Sequence, residues 1–102
     1  MNTSVATSRN FPEEELLLLE TMAGLFFNAQ DISIAMGWDS KLLEEFILVL
    51  ESMDTEDILY QHYHKGRITA EIELRQSIKQ AASNGSNPAQ NMMLDFKTNS
   101  QL

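Results

Sequence analysis

The sequence predicts an all-α fold with five helices, and three observations support this class. Apolar residues recur at spacings of three and four along most of the chain, as in helices packed on one side. Residues typical of helix starts and ends separate these apolar stretches. No Asn-Gly lies between β-branched residues, and the alternating acid/aliphatic run at 70–75 lies inside a long stretch with helical periodicity, so strands are not indicated.

The first helix is predicted to begin at Pro12 and to run to Phe27. Pro suits the first turn of a helix, and the acids Glu13–Glu15 follow near the positive end of the helix dipole. A short helix with two apolar faces is expected to be sandwiched between other elements. One face carries Leu16, Leu19, Ala23 and Phe26, and the other carries Leu18, Met22 and Leu25.

Residues 28–50 are predicted to form two short helices around a tight turn at Gly37. Asn28 caps the first of them, with Asp31 completing a capping box, and a face of Ile32, Ala35 and Met36 follows. Gly37 enters a left-handed turn without steric cost, and the small Ser33 lets the two helices approach. These features favour a helix-turn-helix unit, and a plain helical hairpin is the alternative.

The second helix of this unit carries the candidate DNA-binding residues. Asp39 or Ser40 caps it, and its apolar face comprises Leu42, Leu43, Phe46, Ile47 and Leu50. Ser40 is placed to contact a backbone phosphate, and Lys41 a phosphate or a guanine edge. Trp38 lies either at the edge of this interface or over the core between the two helices. Glu44-Glu45, one turn later, would repel phosphate, so a solvated face is the alternative.

The fourth helix is predicted to start at Asp54-Thr55 and to run to Ser83, although Gly66 could bend or break it. One side carries Leu59, Tyr63, Gly66, Ala70, Leu74 and Ala81, and the small pair Gly66 and Ala70 would permit close helix approach. A second, mixed basic and apolar side is predicted to be an oligomer interface. It comprises Lys65, Ile68, Ile72, Arg75 and Lys79.

Asn84-Gly85 ends this helix, and a fifth is predicted from the cap Asn87, with Pro88 in its first position, to about Lys97. Gln90 would complete a capping box, and Met92, Met93 and Phe96 would be presented. We therefore predict four regions along the chain: a flexible tail at 1–10, the helix-turn-helix unit at 11–52, an oligomerisation region at 53–98 and a frayed end at 99–102.

Composition narrows the class of function. With 102 residues, 43% of them hydrophobic, the chain is large enough for one small core. It has no Cys, no apolar run of about 18 residues and no signal-peptide stretch, so we expect a cytoplasmic protein without membrane segments. His62 and His64 are two apart and point away from each other, so we expect solvated histidines. No metal, cofactor or catalytic residues are predicted.

The net charge of −8 is unevenly distributed along the chain. Residues 1–57 contain two basic and twelve acidic residues, whereas residues 58–102 contain five basic and three acidic ones. Because Lys and Arg contacts to phosphate supply most non-specific DNA affinity, a monomer should bind DNA weakly at physiological salt. Strong binding would need many copies or a partner.

Two stretches between residues 11 and 96 carry a family resemblance: FPEEELLLLETMAGLFFNAQDISIAMGWD and YHKGRITAEIELRQSIKQAASNGSNPAQNMML. The second has a Tyr, then Lys-Gly-Arg, an alternating acid/aliphatic helix ending in Arg-x-Ser-Ile, and Ala-x-x-Gly-Ser-x-Pro-Ala-Gln. Their order resembles that of phage terminase small subunits of the helix-turn-helix type, the DNA-recognition component of viral genome packaging.

This resemblance implies a homo-oligomeric ring in the host cell cytoplasm that binds double-stranded DNA at the packaging start. It also implies regulation of a separate large terminase subunit that carries the ATPase and the nuclease. The helix that starts at Ser40-Lys41 would face DNA, and the helix around 65–82 would pack between subunits. Two other functions stay open: a small helix-turn-helix transcriptional regulator, and an acidic adaptor or inhibitor of a basic protein partner.

Overall fold

The computed structural model describes residues 10–100, and within them the protein consists of five α-helices and no strand, which confirms the all-α class. The helices are α1 (Glu13–Gly24), α2 (Ala29–Met36), α3 (Ser40–Ser52), α4 (Ile58–Ser83) and α5 (Asn87–Asn99). The chain divides into unit 1, up to Thr69, and unit 2, from Ala70. Most of the predicted tail, residues 1–9, and residues 101–102 of the predicted frayed end lie outside the described residues.

Unit 1 is built around one hydrophobic core to which α1, α2, α3 and the start of α4 contribute. Its members are Leu19, Ala23, Ile32, Leu42, Phe46, Val49 and Leu59. Phe46 is fully buried and makes edge-to-face contacts with the rings of Trp38 and Tyr63, at centroid distances of 5.5 and 5.7 Å. Such contacts stabilise beyond the area they bury. Phe46 therefore lies at the centre of unit 1.

The turn between α2 and α3 has the backbone geometry that the sequence predicts. Gly37 adopts φ +73°, and its N–H and that of Trp38 donate to the carbonyls of Ile34 and Ser33, which satisfies the end of α2. The Asn28 side chain accepts from the Asp31 N–H at 2.8 Å at the start of α2.

The start of α3 has one cap. Of the two predicted candidates, the structure selects Asp39, whose side chain accepts from the Leu42 N–H at 2.9 Å. Ser40 is the first residue of the helix instead. Because the capping oxygen satisfies a free N–H of the first turn, it fixes where α3 begins.

Two other helices end in the same left-handed geometry without a glycine. Phe26 has φ +68° after α1, and Met53 has φ +56° after α3. The N–H groups of Phe26 and Phe27 donate to Ala23 and Met22, so α1 ends at Gly24, before the predicted Phe27. These two helix ends cannot be predicted from the sequence, because bulky residues rarely adopt positive φ.

The prediction that α1 is packed between other elements on both of its apolar faces is wrong for the single chain. Leu16, Leu19 and Ala23 are buried on one side of the helix. On the other side, Met22 is half-buried against the core, but Leu18 and Leu25 remain 45% and 65% exposed, so most of this second apolar face is open in the single chain.

α4 begins later than predicted and is unbroken at Gly66. Asp54 and Thr55 lie in the preceding turn, and the buried Asp57 accepts from the Leu59 N–H at 2.8 Å, so the helix starts at Ile58. The predicted close helix approach is present at Gly66. A Cβ on this residue would lie 2.1 Å from the backbone oxygen of Glu20, so only glycine lets α1 lie this close.

Unit 2 contains the end of α4 and α5, joined through Gly85 at φ +97°. The predicted cap Asn87 is wrong by one residue: Ser86 accepts from the Ala89 N–H at 3.3 Å, and Asn87 is the first residue of α5. Gln90 does not complete a capping box, because its side chain donates to the Ala82 carbonyl at 3.1 Å.

Candidate nucleic-acid interface

The predicted DNA-binding residues Ser40 and Lys41 occupy the first two positions of α3, and both are exposed. Within residues 10–100, the Lys41 ammonium has no hydrogen bond or ion pair. The free N–H groups of a helix start carry partial positive charge and attract phosphate. At the start of α3 the Asp39 carboxylate already accepts from one of these groups, the Leu42 N–H, so the Lys41 ammonium and the other first-turn N–H groups are the donors left for a phosphate.

Buried contacts between α2 and α3 hold this helix start in place. Ser33 is 2% exposed, and Ile32 beside it is fully buried in the core. The turn around Gly37 is fixed by the backbone hydrogen bonds at the end of α2 and by the Asp39 cap. A bound phosphate would thus meet a preformed surface, with little ordering cost on binding.

Trp38 is half-buried and covers the core, the second of its two predicted locations. Its ring packs against Phe11 and Phe46, and its Nε1 donates to Glu15 Oε2 at 2.6 Å. Most of the indole surface is therefore packed against other residues of unit 1. A contact between Trp38 and DNA would use only the edge that stays exposed.

The rest of the exposed face of α3 is acidic and apolar. Glu44, Leu48 and Glu51 follow Lys41 along this face, and Leu48 is 61% exposed. Lys41 is the only basic residue of the helix. Carboxylates repel phosphate, so Glu44 and Glu51 disfavour a DNA contact along this face, and the exposed Asp39 carboxylate lies beside Lys41 at the N-terminal turn of α3.

All five predicted oligomer residues of α4 are exposed, and two of them, Lys65 and Arg75, also contact side chains of the same chain. Arg75 donates to Glu71 at 2.9 Å, and its guanidinium lies 4.0 Å from the centre of the Phe96 ring. Lys65 is exposed, with its Nζ 3.9 Å from Glu20 Oε2. No such contact is recorded within residues 10–100 for the other three, Ile68, Ile72 and Lys79.

Three side chains of α4 have roles that the sequence analysis missed or assigned wrongly. Arg67 lies over the rings of Tyr63 and Phe26, 4.8 and 5.5 Å from their centres, and donates to the Phe27 carbonyl at 3.3 Å. His62 is half-buried and pairs with Glu20, and His64 is half-buried with its ring 4.3 Å from that of Tyr60, so the expectation of solvated histidines is wrong. Contacts between residues about 40 positions apart in the sequence have no local sequence signal.

Within the part of the chain that the structure describes, no group of three His, Asp or Glu residues is arranged to hold a metal ion. None of the helices described there is long and apolar enough to cross a membrane. Comparison of the chain with protein-family models, with curated proteins and with solved structures finds no match.

Proposed function

We propose that the protein is a non-catalytic, oligomeric DNA-binding protein that recognises viral DNA for packaging as a small terminase subunit. In this role it regulates a separate large subunit that carries the motor and the nuclease. The observation that supports the proposal most is the exposed Ser40-Lys41 pair at the start of α3, held by the Gly37 turn. The resemblance of residues 11–96 to terminase small subunits supplies the packaging role.

The arrangement supports DNA binding by the N-terminal turn of a recognition helix. In helix-turn-helix proteins, the second helix enters the major groove and its first residues contact base edges. Lys41 occupies that place in α3 and reaches either a phosphate or a guanine edge. Glu44 and Glu51, farther along α3, limit the contact to this end.

An oligomer compensates for the small number of positive charges in each copy. Each neutralised phosphate contributes a slope of about −0.9 to the dependence of log K on log salt, so one lysine binds weakly. Copies joined in one assembly bind the same DNA with a high effective concentration. The exposed Ile68 and Ile72 of α4 supply apolar surface for such an assembly.

The DNA contact is tested by Lys41→Glu in a fluorescence anisotropy titration with duplex DNA at several low salt concentrations. We expect wild-type binding that weakens with salt and a loss of at least tenfold in affinity for the variant. Lys97→Glu is the matched control, because Lys97 is an exposed lysine in α5, and we expect wild-type affinity. Unchanged binding by Lys41→Glu would remove α3 as the reading helix.

The oligomer is tested by light scattering of the full chain with and without duplex DNA. We expect a mass several times the 11.6 kDa of one chain. A monomer at tens of micromolar would contradict the proposal. A footprint with two symmetric half-sites about one helical turn apart would instead indicate a dimeric transcriptional regulator.

A second candidate, an acidic adaptor or inhibitor, is favoured by the exposed glutamates of α3. Acidic residues outnumber basic ones by twelve to two in residues 1–57, and such a surface competes with DNA for a basic protein. The result that selects this function is no retention on DNA at low salt, together with a basic partner that dissociates on Glu44→Lys.

A further inference from the structure

The turn between α4 and α5 contains the dipeptide Asn84-Gly85, which the proposed function leaves unused. Asn84 is the only asparagine of the chain that a glycine follows. Both residues are exposed, and a Cβ added at Gly85 would have no atom within 4 Å. Because Gly85 has no side chain and open space around it, its backbone nitrogen is sterically free to approach the side-chain amide of Asn84.

We propose that Asn84 is a modification site at which the side-chain amide is lost by spontaneous deamidation, with water as the only co-reactant. The Gly85 nitrogen attacks the side-chain carbonyl carbon of Asn84 and forms a succinimide ring. The bond from that carbon to the amide nitrogen breaks, and ammonia leaves with the proton that the Gly85 nitrogen has lost. Water then adds to one of the two ring carbonyls and opens the ring, which leaves aspartate or isoaspartate.

Hydrogen bonds of the turn hold the Gly85 nitrogen away from this reaction in the folded chain. The Gly85 N–H donates to the Ala82 carbonyl and the Ser86 N–H to the Ala81 carbonyl, both at 3.1 Å. With Gly85 at φ +97°, these are the two hydrogen bonds of a Schellman motif, in which Asn84 is the C-cap of α4. The Gly85 nitrogen must leave its acceptor before it attacks, so we expect the reaction to proceed from the opened turn.

Few contacts oppose the opening of this turn. A Schellman motif is often accompanied by an apolar contact of the residue after the glycine, but here that residue is Ser86. Gln90 of α5 crosses the turn and donates from its Nε2 to the Ala82 carbonyl at 3.1 Å. Segments with exposed hydrogen bonds and little apolar burial open at a low free energy. Local opening of unit 2, in which this turn lies, therefore sets the rate of deamidation.

Both products weaken the turn that holds the amide in place. Aspartate adds a negative charge at the C-terminal end of α4, where the helix dipole is already negative. Isoaspartate adds one carbon to the backbone before Gly85, which displaces the N–H groups of Gly85 and Ser86 from their acceptors. Deamidation therefore loosens the end of α4 and leaves the core of unit 1 unchanged. The inference does not rest on the proposed function, because it uses no residue of the DNA contact.

The site is tested by incubating the full chain at mildly alkaline pH and following its proteolytic peptides by mass spectrometry. We expect deamidation at Asn84 to be at least tenfold faster than at Asn91 and Asn99, which are exposed asparagines followed by methionine and serine. Two product peptides of equal mass, one with aspartate and one with isoaspartate, support the succinimide. A faster reaction at Asn91 or Asn99, or aspartate as the single product, overturns the proposal.

Control of the rate by the turn is tested with a matched pair of variants. We expect Gln90→Ala to deamidate at Asn84 at least threefold faster than wild type, because it removes the contact across the turn. Gln76→Ala, at an exposed position of α4 away from the turn, should keep the wild-type rate. In urea that unfolds the chain, we expect a rate at least tenfold above the native one. Equal rates in native and unfolded chains overturn the protection by the turn.

The consequence for unit 2 is tested with Asn84→Asp, which carries the aspartate product from the start. We expect its ellipticity to melt at a lower temperature than that of Asn84→Ala, the control that removes the amide without adding a charge. Emission from Trp38, which packs against the core of unit 1, should change at the same temperature in both variants. Equal melting of ellipticity in the two variants overturns the loosening. None of these measurements depends on whether the protein binds DNA.

Discussion

Unit 1 and unit 2 are both helical, but they bury their side chains to very different extents. The core of unit 1 joins four helices around Phe46. Unit 2, over its described residues, has one buried residue, Ala89. Its large apolar side chains stay about half exposed: Ile72, Leu74, Met92 and Leu94. The two units thus reach the same secondary structure by different means.

This difference indicates what stabilises each unit. Unit 1 has a core of seven buried residues, and apolar burial of this kind is what opposes the entropy of folding. Unit 2 depends on local features: the Ser86 cap, the Gly85 turn, and Arg75 between Glu71 and Phe96. Short helices held only by local features are marginal in water, and segments below about 40 residues usually need a further partner.

The largest expected loss of stability comes from removing one phenylalanine ring, and the same substitution in each unit compares the two. We expect Phe46→Ala to lower the free energy of unfolding by about 3–5 kcal/mol, because it leaves a cavity in a packed core. Phe96→Ala should cost about 1 kcal/mol, since it removes a half-buried ring and its contact with Arg75. Urea denaturation followed by circular dichroism measures both values. Equal losses would mean that unit 2 is packed as tightly as unit 1.

A smaller effect is expected where α1 crosses α4. Gly66→Ala adds a methyl group onto the Glu20 carbonyl, and we expect a loss of about 2 kcal/mol after the gain in helix propensity is subtracted. Gln76→Ala, at an exposed position of the same helix, is the control and should change stability by less than about 0.5 kcal/mol. A more stable Gly66→Ala variant would show that the two backbones are not in contact.

The smallest effects compare two helix ends of unit 1 with the same left-handed geometry. Gly37→Ala should destabilise by about 1 kcal/mol, because its positive φ is strained for any residue with a Cβ. Met53→Gly should stabilise by about 0.5–1 kcal/mol, since Met53 already carries that strain and is 68% exposed. Thermal unfolding measures both. Changes of the same sign would refute the argument from φ.

The sequence predicts the helices and the Gly37 turn well, because periodicity, caps and glycine act locally. Asn28 and Asp39 each place their own helix start. Where the local signal is ambiguous, the predicted helix start is wrong by one residue. Ser86 and Asn87 are equally good caps, and the structure uses Ser86.

Features that depend on tertiary contacts cannot be predicted from the sequence. The left-handed Phe26 end of α1 is accompanied by contacts of Arg67 with its ring and with the next carbonyl, 40 residues away in sequence. His62 likewise finds its partner, Glu20, in a different helix. For the candidate site, the sequence places Ser40 and Lys41 at a helix start, and the structure adds that both are exposed. The DNA contact itself stays a prediction.

Trp38 is the only tryptophan of the chain, and its position between Phe11 and Phe46 makes it an intrinsic optical probe of unit 1. Indole emission responds to the polarity around the ring, so it changes when these segments separate. Far-ultraviolet circular dichroism, in contrast, registers all five helices together. A temperature at which ellipticity has fallen while indole emission is unchanged would therefore mark melting of unit 2 alone, in one unlabelled sample.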